Sequence, residues 1–288
     1  MITLHLLKET VQDFIADKAM RLSAALAYYS VFSLAPLLII AISIAGAIFG
    51  EDAARGAIEE QLTGSVGRES AIAVQGMLKS ASQDSRGGLM TLVGFAILLI
   101  TASGVFAQLK DAMNTVWGME PKPGQGIKVF LKARLLALSM VLVIGFLLLI
   151  SLLLSAVTAA VTSWLGDALP IPGFVFQLIS LMISLAVTTL LFAMIFKILP
   201  DAEVQWRDVW SGAILTAILF SIGKLGLALY LGREGAASAY GAAGALILLL
   251  SWVYYSANIL LLGAEFTQVY ARSRGRRIQP KKYAIFVA

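Results

Sequence analysis

An all-α fold, a polytopic membrane bundle of about six transmembrane helices, is what this sequence predicts, on three observations. Hydrophobic residues make up 59% of the 288 residues and charged residues only 14%, whereas a soluble domain carries about 25% charge. Six stretches are long and apolar enough to cross a hydrocarbon core, which takes roughly 20 residues per helix. Lys and Arg concentrate on alternate sides of those stretches. So little charge cannot cover a globule, and the apolar excess must face something other than water.

The elements follow in chain order. Residues 3–18 read as an amphipathic helix with Leu4, Leu7, Val11, Phe14 and Ile15 on one face, a pattern suited to lying along a membrane interface. The spans are expected at about 22–49, 89–109, 135–165, 174–198, 209–231 and 240–270. Several exceed the minimum, which tilt or interfacial ends accommodate. The first is not read as a cleaved signal: its apolar run is too long and its leader carries Glu9, Asp13 and Asp17. Residues 51–88 form the longest loop. Ala54, Ala57, Ile58, Gln61 and Leu62, then Val74, Met77 and Leu78, keep helical spacing there, as an outer cap, a re-entrant pair or a solvated hairpin. Residues 1–271 are thus one membrane domain, and 272–288 a basic tail.

Orientation follows from the basic residues. The N-terminus, second loop, fourth loop and tail hold sixteen Lys and Arg, the opposite side holds five, and Lys224 lies inside a span. An excess of this kind marks the cytoplasmic side, so both termini are expected there. The net charge of +5 is read the same way, as topology and contact with anionic lipid rather than nucleic acid. The tail, from Arg272 to Lys282, has six basic residues and no acid. It either binds anionic headgroups or enforces topology.

Most enzyme chemistry is missing from the composition. There is no cysteine and one histidine, His5, so thiolate catalysis, a zinc site and a histidine triad built in a core are not expected. No phosphate loop or dinucleotide fingerprint occurs. No metal, no other cofactor and no enzymatic activity are expected.

The informative residues are polar groups inside spans, where each costs free energy and needs a partner, water or a function. Lys224 lies four residues past the midpoint of the fifth span, roughly 6 Å toward the outer face at 1.5 Å per residue. It either snorkels to outer headgroups or faces the interior. Ala213, Ala217 and Ala228 share its face, and small residues usually mark the helix–helix side, so the interior is expected. Glu265, near the inner end of the last span, is expected to pair with Arg21 or Lys110, or to act as a proton- or ion-linked carboxylate at an inner gate. Asp111, with Gln108 and Asn114, invites the same two readings. Tyr28, Tyr29, Ser30 and Ser33 precede Pro36 in the first span, and Tyr254, Tyr255, Ser256 and Asn258 occur in the last. Pro36 frees a carbonyl near Phe32 and should kink its helix. These clusters either line a cavity or make ordinary interhelical hydrogen bonds, worth about 0.6 kcal/mol each. Gly46/Gly50, Gly223/Gly226 and Gly241/Gly244 suit close packing. No internal repeat supports an inverted architecture.

Several runs resemble a known family. Ala24-Ala25-Leu26-Ala27-Tyr28-Tyr29-Ser30-Val31-Phe32-Ser33-Leu34-Ala35-Pro36-Leu37 resembles the first-span signature of the YihY/virulence factor BrkB family. Leu199-Pro200, Val204-Gln205-Trp206-Arg207 and Gly212 resemble its fourth loop. Tyr240-Gly241-Ala242-Ala243-Gly244, Trp252 to Ala257 and Leu262-Gly263-Ala264-Glu265-Phe266 resemble its last span. The resemblance covers roughly residues 5–272 and implies a six-span bacterial inner-membrane protein. It brings no agreed catalytic residues. An older label, ribonuclease BN, finds no set of residues here for phosphodiester cleavage.

The leading expectation is a transporter of an anionic amphiphile such as a lipid, through a cavity lined by the first, fifth and sixth spans. Lys224, Tyr28, Tyr29, Ser33, Tyr254, Tyr255 and Asn258 would contact the substrate, and Arg21, Asp111 and Glu265 would form an inner gate or ion pairs. A cation/proton antiporter and a non-transporting scaffold are the alternatives. Membrane lipids are the expected partners, and a homo-oligomer is left open.

Overall fold

The computed structural model describes residues 2–50, 56, 59, 63, 72, 74–76, 104–122, 173–231, 242–276 and 278–287. The third expected span lies outside the described residues, as does most of the outer loop. The seven residues described between 56 and 76 are helical.

Two helices open the chain. α1 runs Ile2–Ala16 and α2 runs Ala19–Phe49. The turn between them is tight because Lys18 takes a left-handed backbone at φ 53°, closed by Lys18 N donating to Ile15 O at 3.1 Å. α2 continues as helix through Pro36. A third helix, α3, is described over residues 104–116 and ends where Gly118 turns left-handed at φ 61°. It leads into β1, Met119–Pro121. α4, Gly173–Ile198, is apolar all round, as a helix in lipid should be. β2, Ala202–Glu203, follows, then α5, Trp206–Leu231, and α6, Ala242–Ser273. Asp208 sits in the first turn of α5, where an acid complements the helix dipole. α6 stops at Gly275, φ 71°, with Arg276 N reaching back to Ala271 O at 3.0 Å, a Schellman closure. β3, Gln279–Pro280, and β4, Ala284–Phe286, complete the order.

α6 is the central element. α5, α2 and α1 all pack on it, and α4 packs on α5. The α5–α6 seam is a reciprocal fit. Gly212 of α5 faces Thr267 of α6, and Gly263 of α6 faces Thr216 of α5. Each threonine hydroxyl donates to the glycine carbonyl of its own helix at 2.7 Å, so no hydroxyl is left unpaired at the seam. Small residues at matched positions let two backbones approach closely.

Three described helices, at Leu181–Ile198, Trp206–Gly226 and Leu246–Ser273, are long and apolar enough to cross a membrane. They coincide with the fourth, fifth and sixth expected spans. The first expected span falls within α2, and α3 holds the last residues of the second.

The tail has a structure that its basic composition does not reveal. It folds onto the bundle. β4 pairs antiparallel with β1, Met119 opposite Phe286, and β3 pairs antiparallel with β2, Ala202 opposite Pro280. Most of its cations are engaged within the chain. Arg272 binds Asp13 of α1, Arg276 binds Asp208 at 3.0 Å, and Arg274 lies over the Tyr270 ring at 5.1 Å. Lys281 Nζ donates to Pro200 O at 2.7 Å. The acids they meet lie on α1 and α5, which a reading of the tail alone does not reveal. The four basic-rich segments therefore gather at one end of the bundle, here called the basic end.

Candidate functional site

Three polar arrangements stand out among the described residues. The first is Lys224 on the half of α5 away from the basic end. Its side chain is exposed, not interior as its alanine-lined face suggested. Ala213 and Ala217 on that face are fully buried, but the cover ends about where Gly223 meets Tyr255. Along that face Ala217 is buried, Phe220 and Ser221 are half-buried, and Lys224, Leu225 and Gly226 are exposed. The alanine stripe thus reports packing at the basic-end half of α5 and says nothing of its last turns. Among the described residues, no carboxylate pairs with Lys224.

Tyr255 closes the gap beside it. Its hydroxyl donates to Leu219 O of α5 at 3.1 Å, and its ring lies where a Cβ on Gly223 would stand, 1.9 Å away. Tyr254 is at the surface, and Asn258 Nδ2 donates to Tyr254 O of its own helix at 2.8 Å. Asn258 Oδ1 is buried without a partner among the described residues. In α2, Tyr28 and Tyr29 are exposed and meet edge to face at 5.8 Å, while Ser33 is buried. Gly104 of α3 lies beneath Tyr29 and Ser33. No ring contact joins this cluster to Tyr254 or Tyr255 among the described residues. Pro36 lies in α2, and its side-chain environment is outside the described residues.

The second arrangement surrounds Glu265, which is fully buried. Its expected partners are elsewhere: Lys110 is bound to Asp201 and Arg21 is exposed. The fold-back of α1 on α6 instead brings a second acid, Asp17, against it, and the charges of Asp13 and Arg272 also reach it. Neither Glu265 oxygen has a well-aligned donor among the described residues. Burial pushes the Asp17 carboxyl above its usual range; a hydrogen bond with Glu265 opposes this, Asp13 adds to it and Arg272 opposes it. Asp111, the other gate candidate, is exposed on α3.

The third arrangement was not foreseen. Asp201 is 1% exposed at the basic end. Its carboxylate takes Lys110 Nζ at 2.9 Å and Asn114 Nδ2 at 3.0 Å, and its backbone N–H donates to Asn114 Oδ1 at 2.8 Å. The Tyr283 hydroxyl also donates to it, and Lys110 lies 6.0 Å from the Tyr283 ring centre. α3, the loop after α4 and the tail thus converge on one carboxylate. Burial, then the Asp201 charge and hydrogen bond, push the Tyr283 phenol up to about 12 from 10.0. Between those pH values the folded protein keeps a proton that the unfolded chain releases, so stability falls as pH rises through the window. Denaturant titrations from pH 9 to 12 should show that fall in wild type and a shallower one in Tyr283→Phe.

The profile of the Virulence factor BrkB family matches residues 10–285. A "UPF0761 membrane protein" of Verminephrobacter eiseniae is 30% identical over 262 residues, covering 89% of this chain and 60% of that protein. One of Tolumonas auensis is 30% identical over 273 residues, covering 91% and 85%. One of Pseudomonas aeruginosa is 30% identical over 276 residues, covering 93% and 64%. The chain therefore spans under two thirds of the length of the first and third of these relatives. No solved structure matches it.

Proposed function

We propose, from the premise that this chain belongs to the virulence factor BrkB (YihY) family of helical membrane proteins, that it moves an anionic amphiphile such as a lipid across a bacterial inner membrane. The observation that carries this is Lys224, an exposed cation between Ile222 and Leu225 on a helix apolar enough to cross a membrane. An ammonium at a span centre costs about 2.5–3.5 kcal/mol, and one nearer the end, as here, costs less; a phosphate-bearing headgroup that leaves its tails in the bilayer offsets that cost as a counter-charge. The substrate would thus approach laterally, along the lipid-facing surface of α5, with Tyr254 and Tyr255 beside the path. The basic end would face the cytoplasm, following the distribution of Lys and Arg.

In vesicles of defined composition, Lys224→Ala should slow movement of a labelled anionic phospholipid roughly tenfold, the worth of one charge-assisted contact, and Lys224→Glu should bring it to background. Wild-type rates in both variants would sink the proposal. Cation/proton antiport is the second reading, favoured by the buried Glu265 with a second carboxyl against it. Vesicles that show no internal pH change on addition of Na⁺ or K⁺ would remove it.

A further inference from the structure

We infer that Glu265 and Asp17 bind one proton between their carboxyls, and that this proton keeps α1 docked on α6. The observation is a buried acid in the wrong company. Glu265 is 0% exposed and has no well-aligned donor on either oxygen among the described residues. An ionised carboxylate accepts only, so it needs donors that this place does not provide. What faces it is Asp17, delivered by the tight turn at Lys18. Glu265 is desolvated and Asp17 against it is half-buried; two ionised carboxylates so placed repel each other and the buried one has no water to solvate it, so one of them takes a proton. The protonated member then donates to the other, and the pair carries a single negative charge through a short, strong hydrogen bond.

The surrounding charges do not remove this need. From α1, Asp13 and Glu9 also approach, and both lie against Arg272 at the end of α6. Arg272 is 47% exposed and is committed to Asp13. From α2, the buried positions near the turn are Ala19 and Ser23, neither charged, and Arg21 is exposed. From α3, Lys110 is held by Asp201, and from α5, Asp208 is held by Arg276. No group of three or more metal-ligating side chains occurs among the described residues. One proton balances the pair, and its loss places a second charge between α1 and α6. Leu6, Thr10 and Phe14, which bury α1 at 8%, 2% and 9% exposure, then have to hold the helix against that repulsion. The inference is independent of Lys224 and stands whatever the protein moves.

The chain has no cysteine, which makes single thiols clean reporters. In full-length protein in lipid nanodiscs, Thr10→Cys reports α1 undocking. Val11→Cys, 48% exposed on the same helix, reports the intrinsic effect of pH on a thiol. The ratio of their labelling rates should rise with pH by up to about tenfold per unit, the limit for release of one proton. It should stay flat in Glu265→Gln and rise less in Asp17→Asn, whose amide donates to an ionised Glu265. Infrared spectra at pH 7 should show the carbonyl stretch of a protonated carboxylic acid in wild type, lost in Glu265→Gln. A ratio that is flat in wild type, or a band that survives Glu265→Gln, overturns the inference. So does a band abolished by Na⁺ or K⁺ at fixed pH, which would make the occupant a monovalent cation.

Discussion

Gly212→Ala is expected to destabilise the α5–α6 seam by about 3 kcal/mol or more, at or above the upper end of ordinary overpacking. A Cβ there would stand 1.7 Å from Thr267 Oγ1 and 2.6 Å from Gly263 O. The hydroxyl can rotate or be deleted, but the carbonyl belongs to the backbone of the facing helix. The mirror substitution, Gly263→Ala, meets Thr216 Oγ1 at 1.7 Å, but then only Thr216 Cβ at 3.1 Å and Phe196 Cζ at 3.2 Å. The two glycines look equivalent in sequence and differ in how far their surroundings can yield. Thermal unfolding of purified protein should therefore show Gly263→Ala recovering much of its loss when Thr216→Ala is added. Gly212→Ala should recover little with Thr267→Ala. Equal recovery in both pairs would mean that the helices slide apart to relieve the clash, and that the seam is looser than its geometry implies.

The seam also shows what a sequence reading reaches. Both halves are Gly-x-x-x-Thr runs on apolar helices, at 212–216 and 263–267, so the signal was there. Nothing in one dimension says that these two runs face each other. The helices themselves were legible because hydropathy is a local property, and α4, α5 and α6 lie within a few residues of their expected places. The gathering of the N-terminus, second loop, fourth loop and tail at one end was legible for a different reason: Lys and Arg report which side of the membrane each segment lies on. Contacts within that end were not. Asn114 meets Asp201 across 87 positions, and the strands that pin the tail are two or three residues long, too short for any alternation to show. Glu265 stands out in the sequence as an acid within a span, but depth alone points to its partner. Depth favours the nearest cation, whereas the fold-back of α1 delivers an acid. For Lys224, the alanine face implies continuous packing, while α6 covers only part of α5's length.

Asp201→Ala should have the other large effect, about 3–5 kcal/mol, the usual cost of breaking a buried ion pair from one side. It leaves Lys110, whose side chain is 12% exposed, without its counter-charge. It also leaves Asn114 Nδ2 and the Tyr283 hydroxyl without their acceptor. The loss should not spread evenly. Asp201 joins α3, the loop after α4 and the tail, whereas the α5–α6 seam is held by its own glycines. The tail should therefore loosen first, seen as faster tryptic cleavage at Lys281 and Lys282 at temperatures where the helices remain folded. Asp201→Asn keeps an acceptor but removes the charge and should fall between wild type and alanine. The double variant Lys110→Met/Asp201→Asn removes the uncompensated cation and should be more stable than Asp201→Ala, because an absent pair costs less than a buried half. If the double variant is instead the less stable, the aliphatic stem of Lys110 and its packing on Tyr283, rather than the ion pair, hold the tail in place.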